Sequence, residues 1–123
     1  MPPVVILTGD LFFRVKIEAV AEAVGTPVAF ARSREEVERA LEDGGVAGSG
    51  RVLIDLSYRE AEPTETIRTL KSRPEPPHVV AFGPHRDGEA FRAARQAGAD
   101  RVLARSAFVE RLPKLLRGES GGA

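Results

Sequence analysis

The chain of 123 residues contains no cysteine. That absence excludes disulfides, thiolate nucleophiles and cysteine-based metal sites. Tryptophan is also missing, and aromatic residues make up only 6% of the chain. So few rings leave little to stack against bases or a flavin. Net charge is absent as well, with 18 cations balancing 18 anions. No overall field therefore draws the protein to nucleic acid or to an anionic membrane surface. No apolar run approaches the roughly 20 residues of a membrane-spanning helix. The opening Met1-Pro2-Pro3-Val4 has neither the basic region nor the apolar segment of a signal peptide. A cytoplasmic protein is expected. A hydrophobic share of 42% and a charged share of 29% are ordinary for one globular domain of this length.

What is present is a regular alternation of short apolar runs with helical patterns. At the centre stands Arg51-Val52-Leu53-Ile54-Asp55-Leu56-Ser57. Consecutive apolar residues without polar alternation mark a strand covered on both faces, as in a parallel sheet. An ionised carboxylate inside such a strand is costly, which places Asp55 at the carboxyl end. That edge is where open α/β sheets bind ligands. Four further runs read the same way: Val4 to Thr8, Pro27 to Ala31, His78 to Phe82 and Arg101 to Ala104.

Helices are expected between them. The first runs from Leu11 to Val24 behind an Asp10 cap and ends at Gly25. It carries two apolar stripes, Phe13/Ile17/Val20/Val24 and Phe12/Val15/Ala19/Ala23. The second opens with the S-x-x-E box of Ser33 to Glu36 and stops at Gly44-Gly45, before a turn at Gly48-Ser49-Gly50. Tyr58 to Glu62 reads as a polar loop, and Pro63 suits the first turn of a third helix with Ile67 and Leu70 inward. Asp87 is positioned to cap a fourth helix carrying Phe91, Ala94 and Ala97 and closing at Gly98. A fifth uses Phe108, Val109, Leu112, Leu115 and Leu116, with Pro113 requiring a late start or a kink. The expected fold is a single-domain α/β doubly wound, five-stranded parallel sheet of order 2-1-3-4-5, flavodoxin-like. The domain covers residues 1–118, with a disordered tail over 119–123.

In this arrangement the chain resembles the response-regulator receiver domains of two-component signalling. The likeness rests on Val52-Leu53-Ile54-Asp55-Leu56 and on Phe91-Arg92-Ala93-Ala94-Arg95-Gln96-Ala97-Gly98-Ala99-Asp100 ahead of the fifth strand. The resemblance implies Asp55 as phosphoacceptor, phosphorylated by a histidine kinase or a small phosphodonor. It implies Mg²⁺ held by Asp55 and an acidic pair after the first strand, a hydroxyl ending the fourth strand and a lysine ending the fifth. It also implies an interaction face for an effector protein or a homodimer, including Phe91, Arg95 and Val102.

The sequence departs from that pattern at the chemistry. Thr8 and Gly9 stand where the acidic pair belongs, and only a one-residue slide brings Asp10 to it as a metal ligand. Gly83 replaces the hydroxyl residue, Arg105 the lysine and Ser106 the following proline. Arg59 and Pro63 replace a proline and a glycine in the loop after Asp55. A unit charge at about 4 Å contributes on the order of 4 kcal/mol at an effective dielectric near 20, so one missing carboxylate weakens Mg²⁺ binding greatly. The resulting expectation is a stand-alone degenerate receiver (a pseudo-receiver) that acts through protein–protein contact, with Asp55 paired to Arg105. Arg105 and Gly83 remain the phosphate or anion contacts. The alternative is a small ligand-binding protein or enzyme for an anionic ligand, with Asp10, Asp55, Ser57, His85 and Arg105 converging at the carboxyl edge and His85 as acid or base. No G-x-G-x-x-G or Walker pattern supports a nucleotide site. His78 falls at the opposite edge, away from either site.

Overall fold

The computed structural model of the chain describes residues 3–43 and 50–118. In chain order it contains β1 (Val4–Leu7), α1 (Leu11–Val24), β2 (Val28–Ala31), α2 (Arg34–Asp43), β3 (Arg51–Asp55), α3 (Pro63–Lys71), β4 (His78–Gly83), α4 (Gly88–Ala97), β5 (Arg101–Ala104) and α5 (Arg105–Arg117). A 3₁₀ turn over Arg59–Ala61 precedes α3. All strand pairs are parallel, in the order β2-β1-β3-β4-β5. The expected stop at Gly44-Gly45, the turn at Gly48-Ser49 and the tail over 119–123 lie outside the described residues.

The strands bury both faces by simple alternation. Val5, Leu7, Val52, Ile54, Val79 and Ala81 pack on one side with Val37, Ile67, Leu70 and Ala94 from α2, α3 and α4. Val4, Ile6, Leu53, Val80 and Phe82 pack on the other with Phe13 and Ile17 of α1 and Phe108, Leu112 and Leu116 of α5. The second layer holds an aromatic cluster. The Phe82 and Phe108 rings stack with centroids 3.9 Å apart, and Phe13 lies 5.3 Å from Phe82.

Local chemistry sets the helix ends. Asp10 accepts a 3.0 Å hydrogen bond from the Phe13 N–H, and Asp87 accepts one of the same length from the Ala90 N–H. The Ser33 hydroxyl accepts from the Glu36 N–H, while the Glu36 carboxylate accepts from the Arg32 N–H, one residue earlier than a capping box uses. Gly98 ends α4 at φ 111°, a conformation that strains any side chain.

The structure narrows one expectation and tells the two stripes of α1 apart. Of the late start or kink expected from Pro113, the late start does not occur, because α5 begins at Arg105 and runs through the proline. Proline removes one N–H and leaves the Val109 carbonyl without its helical donor; burial of Phe108, Leu112, Leu115 and Leu116 holds the helix across that gap. On α1, only the Phe13/Ile17 stripe faces the core, joined by Ala21, whereas Phe12 and Val15 of the other stripe are 90% and 65% exposed.

At the amino edge, Asp100 ties three elements together. Its Oδ2 accepts from Lys71 Nζ at 2.8 Å and from the Val79 N–H at 2.7 Å, and lies 3.7 Å from His78 Nδ1. His78, expected to be peripheral, therefore belongs to an ionic cluster. Burial is the largest influence on its imidazole and, aided by Arg51, Lys71 and Arg101, outweighs Asp100 to lower the pKa below the usual 6.5. Burial also pushes the Asp100 carboxyl up, but the Lys71 and Val79 hydrogen bonds and the Lys71 and His78 charges bring it below its usual 3.8. Both folded-state pKa values are depressed, so at falling pH the unfolded chain takes up protons first. Stability is expected to be full above about pH 6.5, to decline as His78 titrates and to decline again below about pH 4 as Asp100 titrates. Urea midpoints measured across this range check it. Asp100→Asn should remove the lower step, and persistence of that step in the variant would assign it elsewhere.

Candidate functional site at the carboxyl edge

Register brings the site together. Leu7 pairs with Ile54, so the next residue along each strand, Thr8 and Asp55, are neighbours. Helices leave to opposite faces from β1 and β3, which makes this the switch point of the sheet. Asp55 ends β3 as expected, yet it is only 2% exposed. Its desolvation is met by donors from the chain. Oδ2 accepts from the Thr8 hydroxyl at 2.9 Å. Oδ1 accepts from the Ser57 N–H at 3.0 Å and from the Ser57 hydroxyl at 2.6 Å. Arg105 Nη2 donates to the Ser57 hydroxyl at 3.2 Å and stands 3.6 Å from Oδ1. The expected Asp55–Arg105 pair thus forms with Ser57 wedged beside it. The Arg105 guanidinium lies 4.8 Å from the centre of the Phe13 ring and 5.8 Å from that of Phe82, so the core aromatics fix its position.

The remaining predicted residues divide. Asp10 caps α1, and its own N–H donates to the Thr8 hydroxyl at 3.2 Å. Asp10, Asp55, Ser57, Arg32, Tyr58 and Gly9 line an open groove of about 290 Å³, to which Glu60 adds a third carboxylate. His85 does not line it, so this groove lacks the acid or base assigned to that residue. Gly83 is buried against Leu56, where a Cβ would sit 3.2 Å from the Leu56 Cβ. Of the expected interaction face, Phe91 and Val102 are half-buried on the core and Arg95 lies 5.9 Å from the Phe91 ring centre.

Mg²⁺ does not fit this donor set. Both Asp55 oxygens already accept hydrogen bonds, Asp10 is committed to the helix cap, and a guanidinium stands where a divalent cation would be repelled. Among the described residues no group of three or more histidine, aspartate or glutamate side chains is placed to hold a metal. No helix among them is long and apolar enough to cross a membrane.

Sequence reasoning missed Tyr58. Its hydroxyl donates to the Arg32 carbonyl at 2.9 Å, and its ring lies across Gly9. A Cβ on Gly9 would stand 2.6 Å from Tyr58 Cε1, so the ring fills the space of any side chain at the second acidic position. Gly9→Ala is therefore expected to cost about 1–3 kcal/mol of stability through overpacking. In a Tyr58→Ala background the same change should cost far less, and denaturant unfolding of the four proteins measures that coupling. Equal costs in the two backgrounds would contradict the steric argument.

No family model matches the sequence, and no curated protein matches it. Solved structures do match the fold. A response regulator from Thermotoga maritima superposes with a TM-score of 0.72 at 18% identity, covering 96% of this chain and 99% of that one. The receiver domain of NtrX from Brucella abortus gives a TM-score of 0.74 at 16% identity, covering 98% and 99%. The beryllofluoride-activated NtrC4 receiver domain dimer gives 0.73 at 15% identity, covering 98% and 100%. In strand order, helix placement and extent, the fold of this chain is that of a response-regulator receiver domain.

Proposed function

We propose that the protein is a receiver-like signalling module that works by protein–protein contact, with Asp55 held in an internal hydrogen-bond network instead of serving as phosphoacceptor. The observation that carries this reading is the engagement of both Asp55 oxygens by Thr8 and Ser57, with the Arg105 guanidinium beside them. A nucleophilic carboxylate needs an accessible oxygen and a cation to neutralise the incoming phosphoryl group; both oxygens of Asp55 are engaged by donors of the chain, and the residue is 2% exposed. Contact as the mode of action draws support from Leu11, Phe12 and Val15, the large apolar side chains of α1 that stand in solvent beside the site. Exposed apolar patches of this kind mark docking surfaces. The NtrC4 receiver is a dimer when activated with beryllofluoride, and self-association of this chain belongs to the same reading.

Amide NMR titrated first with Mg²⁺ and then with beryllofluoride tests it. The expected result is no saturable shift at Thr8, Asp55 or Arg105 at millimolar Mg²⁺. Saturable shifts at those residues, abolished by Asp55→Asn, would restore Asp55 as a working acceptor and overturn the proposal.

A further inference from the structure

Resting on the reading that Asp55 is not the acceptor, we propose that Ser57 is a phosphoryl acceptor, with Asp55 as its general base and Arg105 as the binder of the transferred oxygens. The donor class is an acyl phosphate, a mixed carboxylic–phosphoric anhydride. Two hydroxyls touch the Asp55 carboxylate, and they differ in access. Thr8 is 5% exposed, whereas Ser57 lies open to solvent above the groove.

The geometry supplies each part that a serine nucleophile needs. The 2.6 Å contact to Asp55 Oδ1 already directs the Ser57 proton onto a carboxylate. The Thr8 hydroxyl occupies Oδ2, so Oδ1 is the oxygen that receives the proton. Arg105 Nη2 lies 3.2 Å from the Ser57 oxygen, on a guanidinium kept in place by the Phe13 and Phe82 rings. A planar fork of N–H donors matches phosphoryl oxygens. An acyl phosphate fits a site without a metal because its leaving group is a carboxylate, which departs without protonation.

The step balances. The bond from Ser57 Oγ to phosphorus forms as the bond from phosphorus to the acyl oxygen breaks. The leaving carboxylate departs with that bonding pair, and the serine proton passes to Asp55 Oδ1. Protonated Asp55 is neutral beside the new dianion, which relieves like-charge repulsion, and Arg105 pairs with the phosphoryl oxygens. No oxidant or reductant enters. The product is a phosphate monoester, which is stable where an acyl phosphate on aspartate is cleaved by hydroxylamine.

The test incubates the full chain with acetyl phosphate, without added metal, and follows the intact mass and peptide map. One phosphoryl mass on Ser57, resistant to hydroxylamine and absent in Ser57→Ala, is the expected result. Asp55→Asn should slow labelling by about 100-fold, the usual worth of a general base. Arg105→Gln should slow it as well, with partial rescue by Arg105→Lys. Amide NMR spectra of each variant establish that it is folded. Labelling of Asp55, removed by hydroxylamine, would overturn this proposal together with the reading it rests on. No labelling of the wild-type chain would overturn the Ser57 proposal alone and leave the contact module standing.

Discussion

Replacing Asp55 by alanine is expected to destabilise the protein by about 3 kcal/mol, measured as a lower urea midpoint at unchanged slope. The sign is the informative part. In a pocket crowded with carboxylates, removing one relieves repulsion between like charges and stabilises the fold. Here Asp10 and Glu60 share the groove, but the oxygens of Asp55 are themselves met by donors. Its loss leaves the buried Thr8 hydroxyl and the Ser57 N–H without their acceptor and Arg105 without its counter-charge. Leaving a buried donor unsatisfied costs about 1–3 kcal/mol, and stranding one partner of a buried ion pair costs about 3–5 kcal/mol. The half-exposed guanidinium of Arg105 can turn to water, which holds the sum near the lower figure. Asp55→Asn keeps one acceptor oxygen but loses the charge, so its cost should be roughly half that of alanine. A stabilised Asp55→Ala protein would mean that uncompensated negative charge dominates the site. That result would contradict the hydrogen-bond network at its centre.

Much of the fold was legible because its signals are local. Asp10, Ser33 and Asp87 cap helices three residues on, and the apolar runs at Val4–Leu7 and Val52–Ile54 admit only strands covered on both faces. The failures lie where distance decides. The two stripes of α1 have the same helical spacing, and only packing against Phe82 and Phe108 selects Phe13 over Phe12 for the core. Pro113 allowed a late start because propensity is local, while the burial that carries α5 from Arg105 through it comes from β4 and α1.

The site shows the same division. Asp55 and Arg105 could be named from strand ends, and their approach follows from the parallel register. Thr8 was visible only as the residue standing in place of a carboxylate. Its hydrogen bond to Asp55 spans 47 positions and depends on the alignment of β1 with β3. Tyr58 carried no motif. One signal was available: a glycine at the second acidic position leaves space, and the only tyrosine of the chain follows the central strand. His85 stands exposed in the turn after β4 and does not line the groove, a matter of loop geometry that its position in the sequence leaves open.

Phe82→Ala is expected to be the most damaging single substitution in the α1/α5 layer, costing about 3–5 kcal/mol. The residue is fully buried, and its ring stacks on Phe108 and meets Phe13 in a tilted contact at an interplanar angle of 45°. Truncation therefore forfeits apolar burial and two ring contacts, and the strand backbone of β4 prevents the walls from closing over the void. Against a typical total stability of about 5–15 kcal/mol, that loss places the variant close to unfolding. The effect should also reach the carboxyl edge, because the Phe82 and Phe13 rings support the Arg105 guanidinium. Where the variant remains folded, the Ser57 and Arg105 amide resonances should shift while those of Lys71, Val79 and Asp100 at the amino edge stay in place. Phe82→Leu preserves most of the volume but no aromatic face. It should recover over half of the stability and leave the Arg105 shift, which separates support of the guanidinium from core packing. Full recovery of both with leucine would show that ring chemistry contributes nothing to the position of Arg105.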